Sequence, residues 1–452
     1  MSDQRENRSY FIGDHGARGD GRANDTAAVQ RAVDAAAKAG GGTVVFPPGV
    51  YATGTVFLKS NVSVHLEAGS EWTAYPDLDL FPDIPPAIGS RMDATPWKAF
   101  VYAAHQENIG ITGRGLFHPR GDWEGFQTKK GNDPNRPYGI HFVGCSNVLV
   151  RDITMRNSAF WMQRYFTCDG VRLEGLTVYN HCNINNDGVD VDSSKNVVVS
   201  NCRIDSSDDA LTFKSEGAAV CEDVVVSNCV LSSHASAFKL GTASIGGFRR
   251  FSATGCVVRP SAAPEMLHVL EAWGGLVAID LGNVDGGIME DINVGNFVID
   301  GTESPIFVKL GERNSRSDRK GEWTDAPPVT VGHTRRILIH DIVARNAGPY
   351  PSIVAGYPGH PVEDVTLRSI YHHSGTPGSV EDITTPVPEK SDGYPINRMF
   401  RCNLPCHGLY LRHVRGGTLT DVRLVAGPDE PRPGLHAEDV LDSRLDVEEL
   451  RR

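Results

Sequence analysis

The sequence predicts an all-β chain wound as a right-handed parallel β-helix. Two observations carry that fold class. A strand-like unit recurs along most of the chain, and one amphipathic helix near the N-terminus is suited to close the end of such a coil. A third supports them: no long helical stretch separates the units, which argues against alternating strands and helices.

The units read, in order, SNVLVRDITMRN from 146, DGVRLEGLTVYN from 169, KNVVVSNCRIDSS from 195, EDVVVSNCVLSS from 222 and RRFSATGCVVRPS from 249. EDINVGNFVIDG follows from 290, RRILIHDIVARN from 335 and EDVTLRSIYHHS from 363. Most open on a polar pair, run through alternating apolar residues, break at a small or polar residue and resume briefly. Alternation with period two is a strand signature. The first apolar residues are Val148, Val171, Val197, Val224, Phe251, Ile292, Ile337 and Val365, separated by 23, 26, 27, 27, 41, 45 and 28 residues. The two long steps place insertions near 259–275 and 311–333, expected as loops leaving one face. Cys202, Cys229 and Cys256 recur every 27 residues, as a ladder of small buried thiols would.

In the stretch NDTAAVQRAVDAAAKAGGGTVVFPPGVY, Asp25 or Thr26 can start a helix. Val29, Ala32, Val33 and Ala36 form its apolar stripe, and Gly40 to Gly42 end it. No segment rich in Pro, Gly or Ser divides the chain. The expectation is one domain, 1–452, capped over about residues 1–45.

Composition narrows the function classes. A net charge of −12 argues against nucleic acid or an anionic membrane surface as partner. No apolar run approaches the roughly 20 residues of a membrane-spanning helix. The polar start, MSDQRENRSYFIGDHG, reads as lacking a secretion signal, and nine cysteines read as reduced thiols, so the expected location is cytoplasmic. No CxxC pair or HExxH occurs, and neither metal nor cofactor is expected.

Residues 183–215 hold six aspartates in 33 positions. Stacking DGVDVDS over DALTFKS over SAFKLGT puts Asp187, Asp209 and Ser236 in one column, one coil apart. Val191, Phe213 and Leu240 form an inward column, and Asp192 and Lys214 share a third, as a candidate ion pair. Asp208 adjoins Asp209. Crowded carboxyls raise one another's pKa, so one stays protonated while another is ionised. Glycoside hydrolysis needs such an acid together with a base that activates water. A calcium site is the competing use of the cluster. Asp190, Asp192 and Asp205 read as ordinary turn or surface aspartates.

The chain resembles glycoside hydrolase family 28, the polygalacturonase-like branch of the pectin-lyase-like β-helix superfamily. The likeness runs from GARGDGRANDTAAVQRAV and GGGTVVFPPGVY through ITGRGLFHPRG to the coils beyond 360. Asn185, Asn186 and Asp187 match the family's Asn-x-Asp motif, and Asp208 and Asp209 its Asp-Asp motif. The resemblance implies an inverting hydrolase in which Asp208 is the general acid while Asp187 and Asp209 position and deprotonate water. The family's Gly-His-Gly motif falls on Ala235, Ser236 and Ala237, with His234 displaced. Its Arg-Ile-Lys motif, which grips a galacturonate carboxylate, falls on Ala278, Ile279 and Asp280. Loss of both cations points to a neutral sugar.

The expected substrate is therefore an oligosaccharide or glycoside of a neutral sugar, cut from a chain end. The alternatives are a pectic galacturonide, a β-helical lyase or epimerase, or a non-catalytic sugar-binding solenoid. Candidate binding residues are Trp161, Arg164, His181, Asn185, Lys214 and Ser236, with Lys239, Lys309 and Arg313 as replacement cations. Tyr410, Arg412 and His413 form a further C-terminal cluster. The oligomeric state is left open, a homo-oligomer included.

Overall fold

The structure is a computed structural model that describes residues 8–92, 97–128, 133, 135–261, 263, 275–313, 330–390 and 393–452. Among the described residues, thirty-four strands form one continuous sheet, and its strand pairings are parallel. This is the right-handed parallel β-helix that the repeats predict. The predicted register holds residue for residue: Val148, Val171, Val197, Val224, Phe251, Ile292, Ile337 and Val365 pair in one line through the sheet. All eight are buried in the main core.

The polar pair that opens each unit has a conformational reason. Its second residue takes a left-handed backbone in coil after coil: Asn147, Asn196, Asp223, Asp291 and Asp364 all have φ between 50° and 59°. Asn and Asp tolerate that region better than most residues, so they mark the corners. The first residues of these pairs also stack with alternating sign: Glu222, Arg249, Glu290, Arg335 and Glu363 lie in register. Salt bridges join Glu222 to Arg249 and Arg250, and Glu290 to Arg335 and Arg336.

The helix spans Thr26–Lys38, and its buried stripe includes Val29, Ala32, Val33 and Ala36. Asp25 precedes it without capping it through its side chain. The Asp25 carboxylate instead accepts from the backbone amides of Arg18 and Gly19, and Asn24 Oδ1 accepts from the Thr26 amide. The nine cysteines are free thiols, and Cys202, Cys229 and Cys256 are buried in the main core. The two predicted insertions fall largely on 262, 264–274 and 314–329, outside the described residues.

One stack of strands carries the site: Gln163–Phe166, Val189–Asp192, Leu211–Ser215, Ser236–Ser244, Val277–Asn283, Ser304–Leu310, Ser352–Ala355 and Leu409–Arg415. Val191, Phe213 and Leu240 point into the core from it, as predicted. Its outer face is covered at both ends. Toward the N-terminus, Met92 and Trp97 pack on Tyr102, Tyr138, Trp161 and Phe166. Toward the C-terminus, Met399, Phe400 and Leu404 pack on Phe307, Ile353 and Tyr410. The uncovered coils between them hold the aspartates.

Candidate active site

The turn before Asp187 is built by asparagines. Asn186 is fully buried, accepts from the amides of Cys182 and Asn183, and donates to the carbonyls of Ser158 and Phe160. Asn180 donates to the Asp187 carbonyl. One coil on, the hydroxyls of Ser206 and Ser233 both donate to the Asp208 carbonyl, at 2.7 and 2.6 Å. These bonds fix the backbone from which the carboxyls project.

Asp187, Asp208 and Asp209 converge, with one carboxylate oxygen from each lying within 4.8 Å of the others. The predicted column of Asp187, Asp209 and Ser236 follows from the pairing of Val189 with Leu211 and of Leu211 with Phe238. Lys214 donates to Asp187 at 3.1 Å and also to Asp190. Lys239 lies 3.0 Å from Asp209 and 3.7 Å from Asp280. Asp208 Oδ1 accepts from the Asp209 amide at 2.9 Å, and its Oδ2 from Asn185 at 3.4 Å. Among the described residues, Asp187 Oδ1 is buried with no hydrogen-bond partner.

Five carboxyls thus face two ammonium groups, and desolvation raises four of them, Asp187, Asp190, Asp208 and Asp280. Burial, followed by the Asp190 charge, holds Asp187 well above the usual carboxylate range. Burial, followed by the neighbouring Asp209, raises Asp208. Burial brings Asp190 to about 7 and Asp280 to about 6. Lys214 is raised by the surrounding aspartates against its own burial. A carboxyl raised in this way keeps its proton to higher pH, as an acid catalyst requires. An acidic trio of this size could also serve calcium. Here Lys214 and Lys239 already supply the counter-charge to Asp187 and Asp209, which suits proton sharing better than a cation site.

A cavity of about 160 Å³ opens over the trio. Of the predicted binding residues, Trp161, Asn185, Lys214, Lys239 and Arg313 line it. Trp161 is 5% exposed and seats the Lys214 ammonium 4.1 Å over its ring, so it offers little face to a sugar.

The other predicted residues lie elsewhere. Arg164 is fully buried and salt-bridged to Asp192 at 2.7 Å, so Asp192 pairs with Arg164 and not with Lys214. Neither Asp190 nor Asp192 is a surface aspartate, since both are fully buried. His181 binds Asp205 at 2.8 Å and packs against His234, away from the cavity. His234 is buried and does not replace the family's missing histidine. Ser236 supports the site from beneath: its amide donates to Asp209 and its hydroxyl to Asp280. Lys309 is buried and donates to the Gly356 carbonyl. Arg412 pairs with Glu389 and Glu438, beyond the C-terminal wall.

Sequence reasoning missed Arg91, Glu216, Thr242 and Tyr394, which also line the cavity. Tyr394 is 55% exposed, and its hydroxyl accepts from Thr242 at 3.1 Å. Arg91 and Tyr394 sit on non-repeating segments, where no periodicity marks a face.

Comparison with known proteins agrees with this architecture. Residues 46–233 match the model of glycosyl hydrolases family 28, and residues 12–66 that of rhamnogalacturonase A/epimerase, pectate lyase-like. A Vitis vinifera protein named "Probable polygalacturonase" is 25% identical over 384 residues, 81% of this chain and 74% of the relative. The exo-poly-alpha-D-galacturonosidase of Dickeya chrysanthemi is 24% identical over 255 residues, 45% of this chain and 41% of the relative. The exopolygalacturonase structure from Thermotoga maritima superposes with a TM-score of 0.68 at 22% identity, covering 82% of this chain and 88% of that one. Fold, acid cluster and matches together define a glycoside hydrolase. Over residues 46–233 the chain is similar to glycoside hydrolase family 28.

Proposed function

We propose that this protein cleaves pectic oligogalacturonides from a chain end, with Asp208 as general acid and Asp187 and Asp209 holding the attacking water. The observation that carries the exo reading is the apolar packing at both ends of the site stack. Apolar segments cover the outer face on both sides of the aspartate coils, leaving a pocket where a long polymer would need an open cleft. The relatives' names support a galacturonide.

That reading displaces the neutral sugar expected from the missing Arg-Ile-Lys motif. The cavity is lined by four cationic side chains, Arg91, Lys214, Lys239 and Arg313. Asp280, expected to repel a carboxylate, instead engages Ser236 and Lys239. The epimerase-like match covers residues 12–66, which contain none of the site aspartates, so it supports the fold and not a lyase reaction.

Asp208 would protonate the leaving oxygen, and water would attack the anomeric carbon from the opposite face. The carboxyl spacing is tighter than the roughly 6.5–9.5 Å of two-carboxylate inverting sites. Asp187 and Asp209 share the task of holding water, each tethered by its own lysine. A cytoplasmic location remains part of the proposal, supported by nine free thiols. Product analysis on polygalacturonate tests the reading: monogalacturonate alone should appear early, and mid-length oligomers at that stage would overturn it.

A further inference from the structure

We infer that Arg91 and Arg313 form a two-guanidinium clamp for the substrate carboxylate, replacing the family's Arg-Ile-Lys motif from two unrelated positions in the chain. The inference rests on the uronide reading proposed above and names the residues that would enforce it. Arg313 follows the strand Ser304–Leu310, and Arg91 comes from the segment that walls the N-terminal side. Both line the cavity.

One buried carboxylate organises the pair. Asp285 accepts from Arg313 Nε at 3.1 Å and from its Nη2 at 2.7 Å. Arg91 Nη1 lies 3.5 Å from the same carboxylate, and the Ser244 amide adds a further donor at 3.2 Å. The Asp285 side chain is fully buried, while each arginine side chain retains 13% exposure. The shared carboxylate holds both guanidiniums at the cavity edge, beside Lys214 and Lys239. Guanidinium forks match carboxylates in two-point hydrogen bonding, and holding them in advance lowers the ordering cost of binding. The Arg91 amide also donates to the Glu216 carbonyl, so its backbone is tied to the site coils. Tyr394 lies 5.9 Å from the Arg313 guanidinium, placing an exposed ring beside the clamp. A hexuronate has the required shape: a ring to face Tyr394 and a carboxylate to reach the arginines.

Calorimetric titration with galacturonate and with galactose, which differ at the carboxylate, tests this without turnover. Wild type should bind galacturonate about tenfold or more tighter than galactose, the scale of a charge-assisted hydrogen bond. Arg313→Ala and Arg91→Ala should each bring that ratio toward one, chiefly by weakening galacturonate. Arg313→Ala removes a close partner of Asp285 and risks unfolding, so Arg313→Lys and Arg91→Ala keep the test decisive. No preference in wild type, or an unchanged ratio in the folded variants, overturns the clamp. If the preference depends on both arginines but digalacturonate is not cleaved, the clamp stands and the substrate reading falls. If digalacturonate is cleaved and the ratio survives in the variants, the reverse holds.

Discussion

Lys239 reaches from one coil to Asp209 on the coil before it, 3.0 Å from Oδ2, and lies 3.7 Å from Asp280 on the coil after it. This cross-coil link ties a carboxylate of the aspartate trio to the solenoid's own period. Both side chains of the Lys239–Asp209 pair are 7% exposed. Removing the cation would leave a nearly buried carboxylate uncompensated, which typically costs about 3–5 kcal/mol. Lys239→Met should therefore lower thermal stability and cut kcat well over tenfold. Lys239→Arg should recover part of both. Calorimetry and steady-state kinetics on the same preparations would check it.

Tyr394 is half-exposed at the cavity rim and hydrogen-bonded to Thr242. An aromatic face that contacts sugar in both ground and transition states contributes uniform binding. Tyr394→Ala should raise KM for trigalacturonate about tenfold, with kcat changed little. A fall in kcat at constant KM would assign Tyr394 to the reaction step instead.

The stereochemical outcome is a separate matter. A single displacement by water inverts the anomeric centre. Proton NMR during the first turnovers on an α-linked galacturonide should show β-galacturonic acid first. Initial α product would mean that one of the three aspartates attacks the sugar directly.

Stability should depend on pH through buried imidazoles. Burial lowers His234 and His407 to about 4 and His372 to about 3. Their unfolded forms titrate near 6.5. Between those values the unfolded chain binds more protons, so stability is full above about pH 6.5 and falls as the pH drops toward 4. The raised carboxyls act in the opposite sense: Asp190, near 7, and Asp280, near 6, favour the folded state at low pH and lose that contribution as pH rises through those values. His407→Gln should lose less stability than wild type between pH 6.5 and 4. Parallel melts of the two proteins across that range provide the check.

Much of this was legible in the sequence because a parallel solenoid repeats its constraints. The line from Val148 to Val365 could be read off the alternation, and the same offsets stacked Asp187 on Asp209. Alternation assigns a residue to the inner or outer face, but it does not say what covers the outer face. Arg164 and Lys309 point outward on the site stack and are nonetheless buried, because non-repeating segments pack over their coils. Arg91 and Tyr394 were illegible for the same reason: they belong to the covering segments. The Arg164–Asp192 pair spans a two-coil network of side chains that column alignment alone could not sort from Lys214.

The central claim is that Asp208 is the acid. Its carboxyl is raised by burial and by Asp209, so the active form is protonated, and the rate should fall as pH rises through that pKa. General acid catalysis typically contributes about 10²–10⁴-fold. The decisive measurement is kcat on trigalacturonate for Asp208→Asn beside wild type, each across pH, with folding checked by circular dichroism. The account predicts a folded variant, kcat down by about 10³-fold, and loss of the alkaline limb. A folded Asp208→Asn enzyme that keeps most of its activity and the same pH profile would contradict it.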